Sequence, residues 1–131
     1  MAGDFRRSFI SAEQYPGLRL ITIQEGEDLF AARGGALFVD ARTPGQFRDG
    51  HIPGALNVPY EAGNARLPAK VQEIARDRSL VVYCEGGDCA SSLGLAKRLS
   101  KAGYKDIRVM TGGWADWKKS GLPEAAGDDQ K

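Results

Sequence analysis

The side chains best suited to covalent chemistry are two thiols five residues apart, Cys84 and Cys89, in the stretch Tyr83-Cys84-Glu85-Gly86-Gly87-Asp88-Cys89-Ala90-Ser91-Ser92. A cysteine attacks as its thiolate, so the question is what would hold the sulfur ionised near neutral pH. Gly86 and Gly87 can turn backbone N–H groups inward, and Ser91 or Ser92 can cap the helix that follows. Amides from Glu85 to Cys89 aimed at the sulfur of Cys84, beside a helix N-terminus, would bring its pKa from about 8.5 to roughly 3.5–7.5. Cys84 is therefore the candidate nucleophile, and Glu85, Gly86, Gly87, Asp88, Cys89 and Ala90 form its candidate active-site loop. The carboxylates of Glu85 and Asp88 oppose the amide dipoles, because they raise a neighbouring thiol's pKa and repel anions. The competing reading is that Cys84 is an inert strand-end cysteine and the glycines are only a turn.

Positioning such a sulfur requires a strand before it and a helix after it. Leu80 to Tyr83 is an unbroken apolar run, the pattern of a parallel strand covered on both faces. Cys84 falls at its carboxyl end, the edge where open α/β sheets bind ligands. Leu93, Leu95, Ala96, Leu99 and Ala102 continue as a helix, with Gly103 as its stop. Upstream, Leu20–Ile23 reads as a strand, Glu25–Arg33 as a helix stopped by Gly34-Gly35 with Leu29 and Phe30 inward, and Leu37–Ala41 as a second strand. Strand–helix–strand alternation predicts a parallel sheet, which puts Asp40 and Arg42 at the same edge as Cys84. On position alone, Asp40 caps a turn and Arg42 is a solvated charge.

Thr43 to Gly50 reads as a short helical turn with Pro44 at its first position. His51 is the one histidine, and an ordinary pKa of about 6.5 invites a general-base role. Within His51-Ile52-Pro53-Gly54-Ala55 a ring–backbone hydrogen bond that fixes the turn is the preferred reading. Ile52, Leu56 and Val58 are expected to face the core, and Tyr60 to Arg66 to form a polar loop. Leu67 to Arg76 reads as a helix with Val71, Ile74 and Ala75 inward. Ile107 to Met110 is the last strand, followed by a Thr111-Gly112-Gly113 turn in which Gly113 can approach a ligand closely. Trp114 and Trp117, three apart, share a helix face suited to core packing.

The 131 residues, 42% of them apolar, suit one domain with one conventional core. With 18 basic and 17 acidic side chains there is no global field to attract nucleic acid or anionic membrane. Two cysteines and one histidine are too few for a disulfide scaffold or a structural zinc site, so no metal or cofactor is expected. No apolar run approaches the roughly 20 residues needed to span a bilayer, and residues 1–7 lack the apolar core of a secretory signal. The expectation is a cytoplasmic monomer comprising an arm over 1–18, one domain over 19–123 and a flexible tail over 124–131.

Phe38-Val39-Asp40-Ala41-Arg42, Gly50-His51-Ile52-Pro53-Gly54-Ala55-Leu56-Asn57-Val58-Pro59, the Cys84 loop and Met110-Thr111-Gly112-Gly113-Trp114-Ala115-Asp116-Trp117 resemble, in this order, the signature segments of rhodanese-like domains. The resemblance spans roughly Leu20 to Pro123. It implies a single α/β domain with a central, mostly parallel sheet of about five strands and helices on both faces. It also implies a cysteine that takes up a sulfane sulfur as a persulfide and hands it to a nucleophilic acceptor, with donor and acceptor either small molecules or protein thiols and persulfides. By resemblance, Asp40 accepts N–H groups and braces the neighbouring loops, Arg42 supports the thiolate electrostatically, and His51 and Gly113 support the site. Two departures stand out: the family's loop is closed by a serine six residues after the cysteine and often carries a basic residue. Here the serines lie seven and eight residues on, and the loop is acidic, which disfavours a dianionic donor such as thiosulfate.

The leading expectation is thus a sulfurtransferase acting through Cys84. The alternatives are a dithiol redox protein using Cys84 and Cys89, and a docking module that keeps the fold without chemistry. Phosphate or arsenate chemistry fits poorly, because no arginine or lysine lies between Cys84 and Ser92.

Overall fold

The computed structural model describes residues 14–32, 35–61, 63, 66–86 and 90–128. In chain order these form β1 (Leu18–Ile21), α1 (Ile23–Ala31), β2 (Leu37–Asp40), α2 (Pro44–Asp49), β3 (Leu56–Asn57), α3 (Ala69–Gln72), β4 (Ser79–Tyr83), α4 (Ser91–Lys101), β5 (Asp106–Met110) and α5 (Gly113–Lys119). The five strands make one sheet in the order β1-β5-β4-β2-β3, every pairing parallel.

The unbroken apolar run of β4 has the predicted consequence. Leu80 and Val82 join one buried cluster with Leu95 and Leu99 of α4, while Val81 and Tyr83 join a second with Phe47 of α2 and Trp114 and Trp117 of α5. The alternation of a strand's side chains therefore fills a core on each face of the sheet. Full burial of one such leucine or valine contributes about 1.5–3 kcal/mol.

Local chemistry sets the element boundaries. The first strand ends at Ile21 rather than Ile23, because Thr22 serves as a cap: its hydroxyl accepts from Glu25 N and the Glu25 carboxylate accepts from Thr22 N. Thr43 and Gln46 form the same reciprocal cap ahead of Pro44. The helix expected over Leu67–Arg76 contracts to the four residues of α3. Tyr104 Oη approaches the carbonyls of Val71 and Ile74 at 2.5 and 3.0 Å, occupying acceptors that a longer helix would use. Ala75, expected inside, is exposed. The two-residue strand β3 carries too few residues to show a pattern in the sequence. Residues 1–13 of the expected arm, and Arg33 and Gly34 at the expected helix stop, lie outside the described residues.

The segment expected as a flexible tail is joined to the body at two points: Ala125 and His51 exchange backbone hydrogen bonds of 2.9 and 2.8 Å, and Gly127 N donates to Arg48 O at 2.8 Å. Among the described residues no helix is long and apolar enough to cross a membrane.

Candidate active site

The parallel register sets Asp40 of β2 beside Tyr83 of β4, and Ala41 N donates to Tyr83 O at 2.8 Å. Arg42, two residues past the end of β2, and Cys84, directly after β4, consequently leave the sheet at the same edge. There the chain meets the start of α5. Trp114 N donates to Cys84 O and Ala115 N to Glu85 O, each at 2.8 Å, so the first amides of that helix fasten the opening of the cysteine loop.

This fastening explains the glycine before the tryptophan. Gly113 has φ +56°, and a Cβ there would lie 2.4 Å from Cys84 O and 3.0 Å from Gly86 N. The close approach predicted for Gly113 is made here to the backbone of the cysteine loop itself. Gly86, at φ +133°, has the reciprocal constraint, since a Cβ would lie 2.6 Å from Gly112 O.

Cys84 is 3% exposed and disulfide-bonded. The accessible sulfur expected from the sequence is buried in this structure. Gly87, Asp88 and Cys89 lie outside the described residues. Ser92 Oγ lies 3.4 Å from Cys84 Sγ and is buried. A disulfide sulfur has no proton, so in this state the serine hydroxyl is the group able to donate. Neither serine caps α4, whose N-cap is Ala90 with no side-chain hydrogen bond. Ser92 is turned toward the sulfur instead, which corrects the expected capping role.

Glu85 also departs from expectation. Its carboxylate, half exposed, pairs with Arg42 Nη1 at 3.2 Å rather than standing unpaired beside the sulfur. A carboxylate within reach of a guanidinium is better stabilised by that cation than beside an anion; because Arg42 shares its one positive charge between Asp40 and Glu85, the repulsion attributed to Glu85 is reduced and not abolished.

Arg42 itself is buried, not a solvated charge. Its Nη2 donates to Asp40 Oδ2 at 2.8 Å and to Gly50 O at 2.5 Å, its Nε reaches both Asp40 oxygens at 3.1 and 3.2 Å, and its backbone N–H donates to Asp40 Oδ1 at 2.9 Å. Its guanidinium carbon lies 5.0 Å from the Trp114 ring centroid and 6.0 Å from that of Tyr83. Burial works against the charge, but the hydrogen bond and charge of Asp40 outweigh it and raise the Arg42 pKa, with Tyr83 and Glu85 adding in the same direction. The pair links the strand edge to the loop: Asp40 holds Arg42, and Arg42 holds Glu85.

Arg42→Lys would keep the charge but lose the planar fork that spans three acceptors. The expected result is a loss of about 1–3 kcal/mol in stability, read as a lower urea midpoint, because acceptors around a buried site lose their donors.

His51 is buried and does not face the sulfur's loop through any described hydrogen bond. Its ring stacks on Phe47, with centroids 3.6 Å apart and planes 6° apart. Nδ1 lies 2.7 Å from Phe47 O, and since a carbonyl only accepts, Nδ1 carries the proton. The geometry is that of a turn fastener.

Three contributors were not singled out from the sequence. Asn57 Nδ2 donates to the carbonyls of Asp40 and Arg42, both at 3.0 Å, stitching β3 to the turn after β2. Its position between the apolar residues Leu56 and Val58 was the available signal. Trp114 supplies both an amide to Cys84 and a ring beside Arg42. Tyr83 Oη accepts from Ile52 N at 3.1 Å, and burial, with the charge of Asp40 second, raises its pKa far above the ordinary tyrosine value.

That shift predicts an alkaline weakness with a defined sign. An unfolded tyrosine ionises near pH 10 while folded Tyr83 stays neutral, so its contribution is complete below about pH 10 and falls by up to about 1.4 kcal/mol per pH unit above it. Urea unfolding at pH 9 and pH 11 should show Tyr83→Phe losing less stability over this interval than the parent chain. At pH 8 the variant should be the weaker of the two by about 1–3 kcal/mol, because Ile52 N–H loses its acceptor.

A cysteine-bearing loop beyond the central strand of a parallel sheet, braced by a buried Asp–Arg pair and fastened to a glycine–tryptophan turn, defines a single-domain α/β protein with its candidate site at the sheet's carboxyl edge. The sequence model of the rhodanese-like domain matches residues 22–120, and the chain belongs to the rhodanese-like domain family. It is 37% identical over 90 residues to a sulfurtransferase of Allochromatium vinosum, covering 69% of this chain and 78% of the relative. It is 30% identical over 114 residues to the chloroplastic thiosulfate sulfurtransferase 16 of Arabidopsis thaliana, covering 81% of this chain and 92% of the relative. The chain spans 38% of the length of another, longer relative. The crystal structure of the BH2092 protein from Bacillus halodurans shares the fold, with a TM-score of 0.72, 19% identity and coverage of 100% of this chain and 93% of that one.

Proposed function

We propose that this chain is a sulfurtransferase that carries a sulfane sulfur as a persulfide on Cys84. The observation that carries the reading is the fixed placement of Cys84: the sulfur lies beside the Ser92 hydroxyl, and its backbone is clamped by the α5 amides at the carboxyl edge of a rhodanese-like sheet. In the reduced form the Cys84 thiolate attacks the outer sulfur of a donor R–S–S⁻ or thiosulfate. A sulfur–sulfur bond forms on Cys84, and the donor's own sulfur–sulfur bond breaks with its electron pair leaving on the thiolate or sulfite. A nucleophilic acceptor then takes the outer sulfur, and the electron pair of the persulfide bond returns to Cys84.

Ser92 stabilises the thiolate by donating a hydrogen bond from its hydroxyl to the sulfur. Asp40 and Arg42 act on the loop through Glu85 and the backbone. The Arg42–Glu85 pair supports a broader donor range than the acidic sequence suggests, because it lessens the negative charge that Glu85 presents to an anionic donor. Thiosulfate thereby becomes a donor worth testing first, in line with the name of the Arabidopsis relative.

Cys84 should gain about 32 Da, one sulfur, when the reduced chain is exposed to thiosulfate or an aryl thiosulfonate. Intact-protein and peptide mass spectrometry reads this directly. A reduced chain that gains no sulfur and releases no sulfide with either donor overturns the proposal.

A further inference from the structure

We propose that the solvent face of α4, with the cavity beside it, docks an acidic protein segment and so selects the acceptor of the Cys84 sulfur; this rests on the persulfide reading above. Helix α4 carries Lys97, Arg98 and Lys101 and no acidic residue, whereas α1 carries Glu25, Glu27 and Asp28 and no basic one. The two helices cover opposite faces of the sheet, with Leu95 and Leu99 of α4 in one core cluster and Leu29 and Phe30 of α1 packed against the other. A net charge of +1 therefore conceals two oppositely charged sides, and the field at α4 attracts anions.

The cations lean on tyrosine rings. Lys97 Nζ and Lys101 Nζ lie 5.2 and 5.4 Å from the Tyr15 ring centroid, and the Arg98 guanidinium carbon lies 4.3 Å from that of Tyr60. Neither lysine pairs with an acid among the described residues. A cation already ordered over a ring loses little further freedom when an anion binds, and it keeps part of its stabilisation when water leaves. Beside these groups, α3 and the end of α4 border a cavity of about 350 Å³, with Leu67, Val71 and Tyr104 on its apolar side and Arg76, Arg98 and Lys101 on its basic side. Arg76 is fixed there by bonds from Nε to Ala102 O at 3.0 Å and from Nη1 to Tyr104 Oη at 2.8 Å. It too pairs with no acid among the described residues.

The occupant follows from this chemistry. The cavity suits one apolar side chain and the cations suit carboxylates on either side of it, which is the pattern of an acidic segment with a single apolar anchor. A nucleic acid strand fits less well, because the basic patch is short and the wall beside it is apolar. Helix α4 also links the face to the sulfur. Ser92 in its first turn lies 3.4 Å from Cys84 Sγ, and Lys101 stands about 14 Å further along the same helix, within the footprint of one docked protein. An acidic acceptor seated there brings its thiolate to the persulfide. A bond forms between the acceptor sulfur and the outer sulfur, the bond from the outer sulfur to Cys84 breaks, and its electron pair returns to Cys84. The acceptor leaves as a persulfide.

The test loads the reduced full chain with thiosulfate or benzenethiosulfonate and offers it two acceptor peptides. Each has a single cysteine, a glycine spacer and one phenylalanine, set among glutamates in the first and among lysines in the second. Transfer to the glutamate peptide should be about 10-fold faster at low salt, and the difference should vanish as ionic strength approaches about 1 M. Lys97→Glu/Lys101→Glu, verified as folded by circular dichroism, should load sulfur as the parent does and lose that preference. Fluorescence anisotropy of the glutamate peptide with serine in place of cysteine should show the same dependence on salt and on the two lysines, and exchanging its phenylalanine for serine should weaken binding about 10-fold. Equal transfer to both peptides, a preference that survives in the double variant, binding that ignores the phenylalanine, or tighter binding of a single-stranded oligonucleotide than of the glutamate peptide would overturn the docking site while leaving the persulfide reading in place. A chain that gains no sulfur from either donor overturns the persulfide reading and the choice of acceptor with it, and the anisotropy then decides by itself whether the face docks an acidic segment.

Discussion

Cys84→Ser is expected to lower sulfur transfer by about 10³-fold or more, to the level of donor and acceptor reacting unaided. A serine hydroxyl at the same place is far less ionised and less nucleophilic toward sulfur than a thiolate, and it cannot form the persulfide bond. The backbone consequences are small, because a main-chain contact that holds residue 84 is made by its carbonyl to Trp114 N and not by its side chain. Thermal unfolding of the reduced proteins should therefore be nearly unchanged while turnover with thiosulfate and cyanide falls to background. Retention of more than about one tenth of parent turnover would place the nucleophile elsewhere.

Gly113→Ala is expected to be the most damaging single methyl at the site. The added Cβ would meet Cys84 O at 2.4 Å and Gly86 N at 3.0 Å, at a residue whose φ of +56° already disfavours a side chain. Neither neighbour is a flexible side chain that can swing aside; both are backbone, and relief means separating the cysteine loop from α5. Strain of this origin costs about 1–3 kcal/mol, and the loss of the Trp114 N–H bond to Cys84 O adds about 1 kcal/mol. The urea midpoint should fall accordingly. The informative readout is the rate at which the reduced Cys84 is alkylated as pH is varied: a displaced loop should shift that profile even at temperatures where the variant is fully folded. A midpoint and an alkylation profile equal to the parent's would show that the loop does not depend on this approach.

Much of this arrangement could be read in the residues. The apolar run Leu80–Tyr83 identified the central strand because burial on both faces removes alternation, and the strand–helix–strand order placed Asp40, Arg42 and Cys84 at one edge, where the parallel register puts them. What stayed hidden depends on contacts between segments distant in sequence. Glu85 looked like an unpaired acid because its partner, Arg42, lies 43 residues away. Ser92 looked like a cap because its type favours that role, whereas its place inside the first turn of α4 sets it against the sulfur. The contraction of the helix after Leu67 follows from the hydroxyl of Tyr104, which competes for carbonyls from across the chain. Local propensity is overruled in each case by a donor or acceptor that the fold brings in from elsewhere.

The sheet also works as a partition. Cys84 belongs to the cluster packed under α4, whereas Tyr83 and Trp114, the rings that flank Arg42, belong to the opposite one. The sulfur and the aromatic rings thus occupy separate compartments, joined at a single rim by backbone hydrogen bonds and by the Arg42–Glu85 pair. Repacking of the aromatic compartment away from Trp114 and Arg42, at Phe30, Phe38 or Trp117, is therefore expected to change heat resistance while leaving the cysteine loop in place.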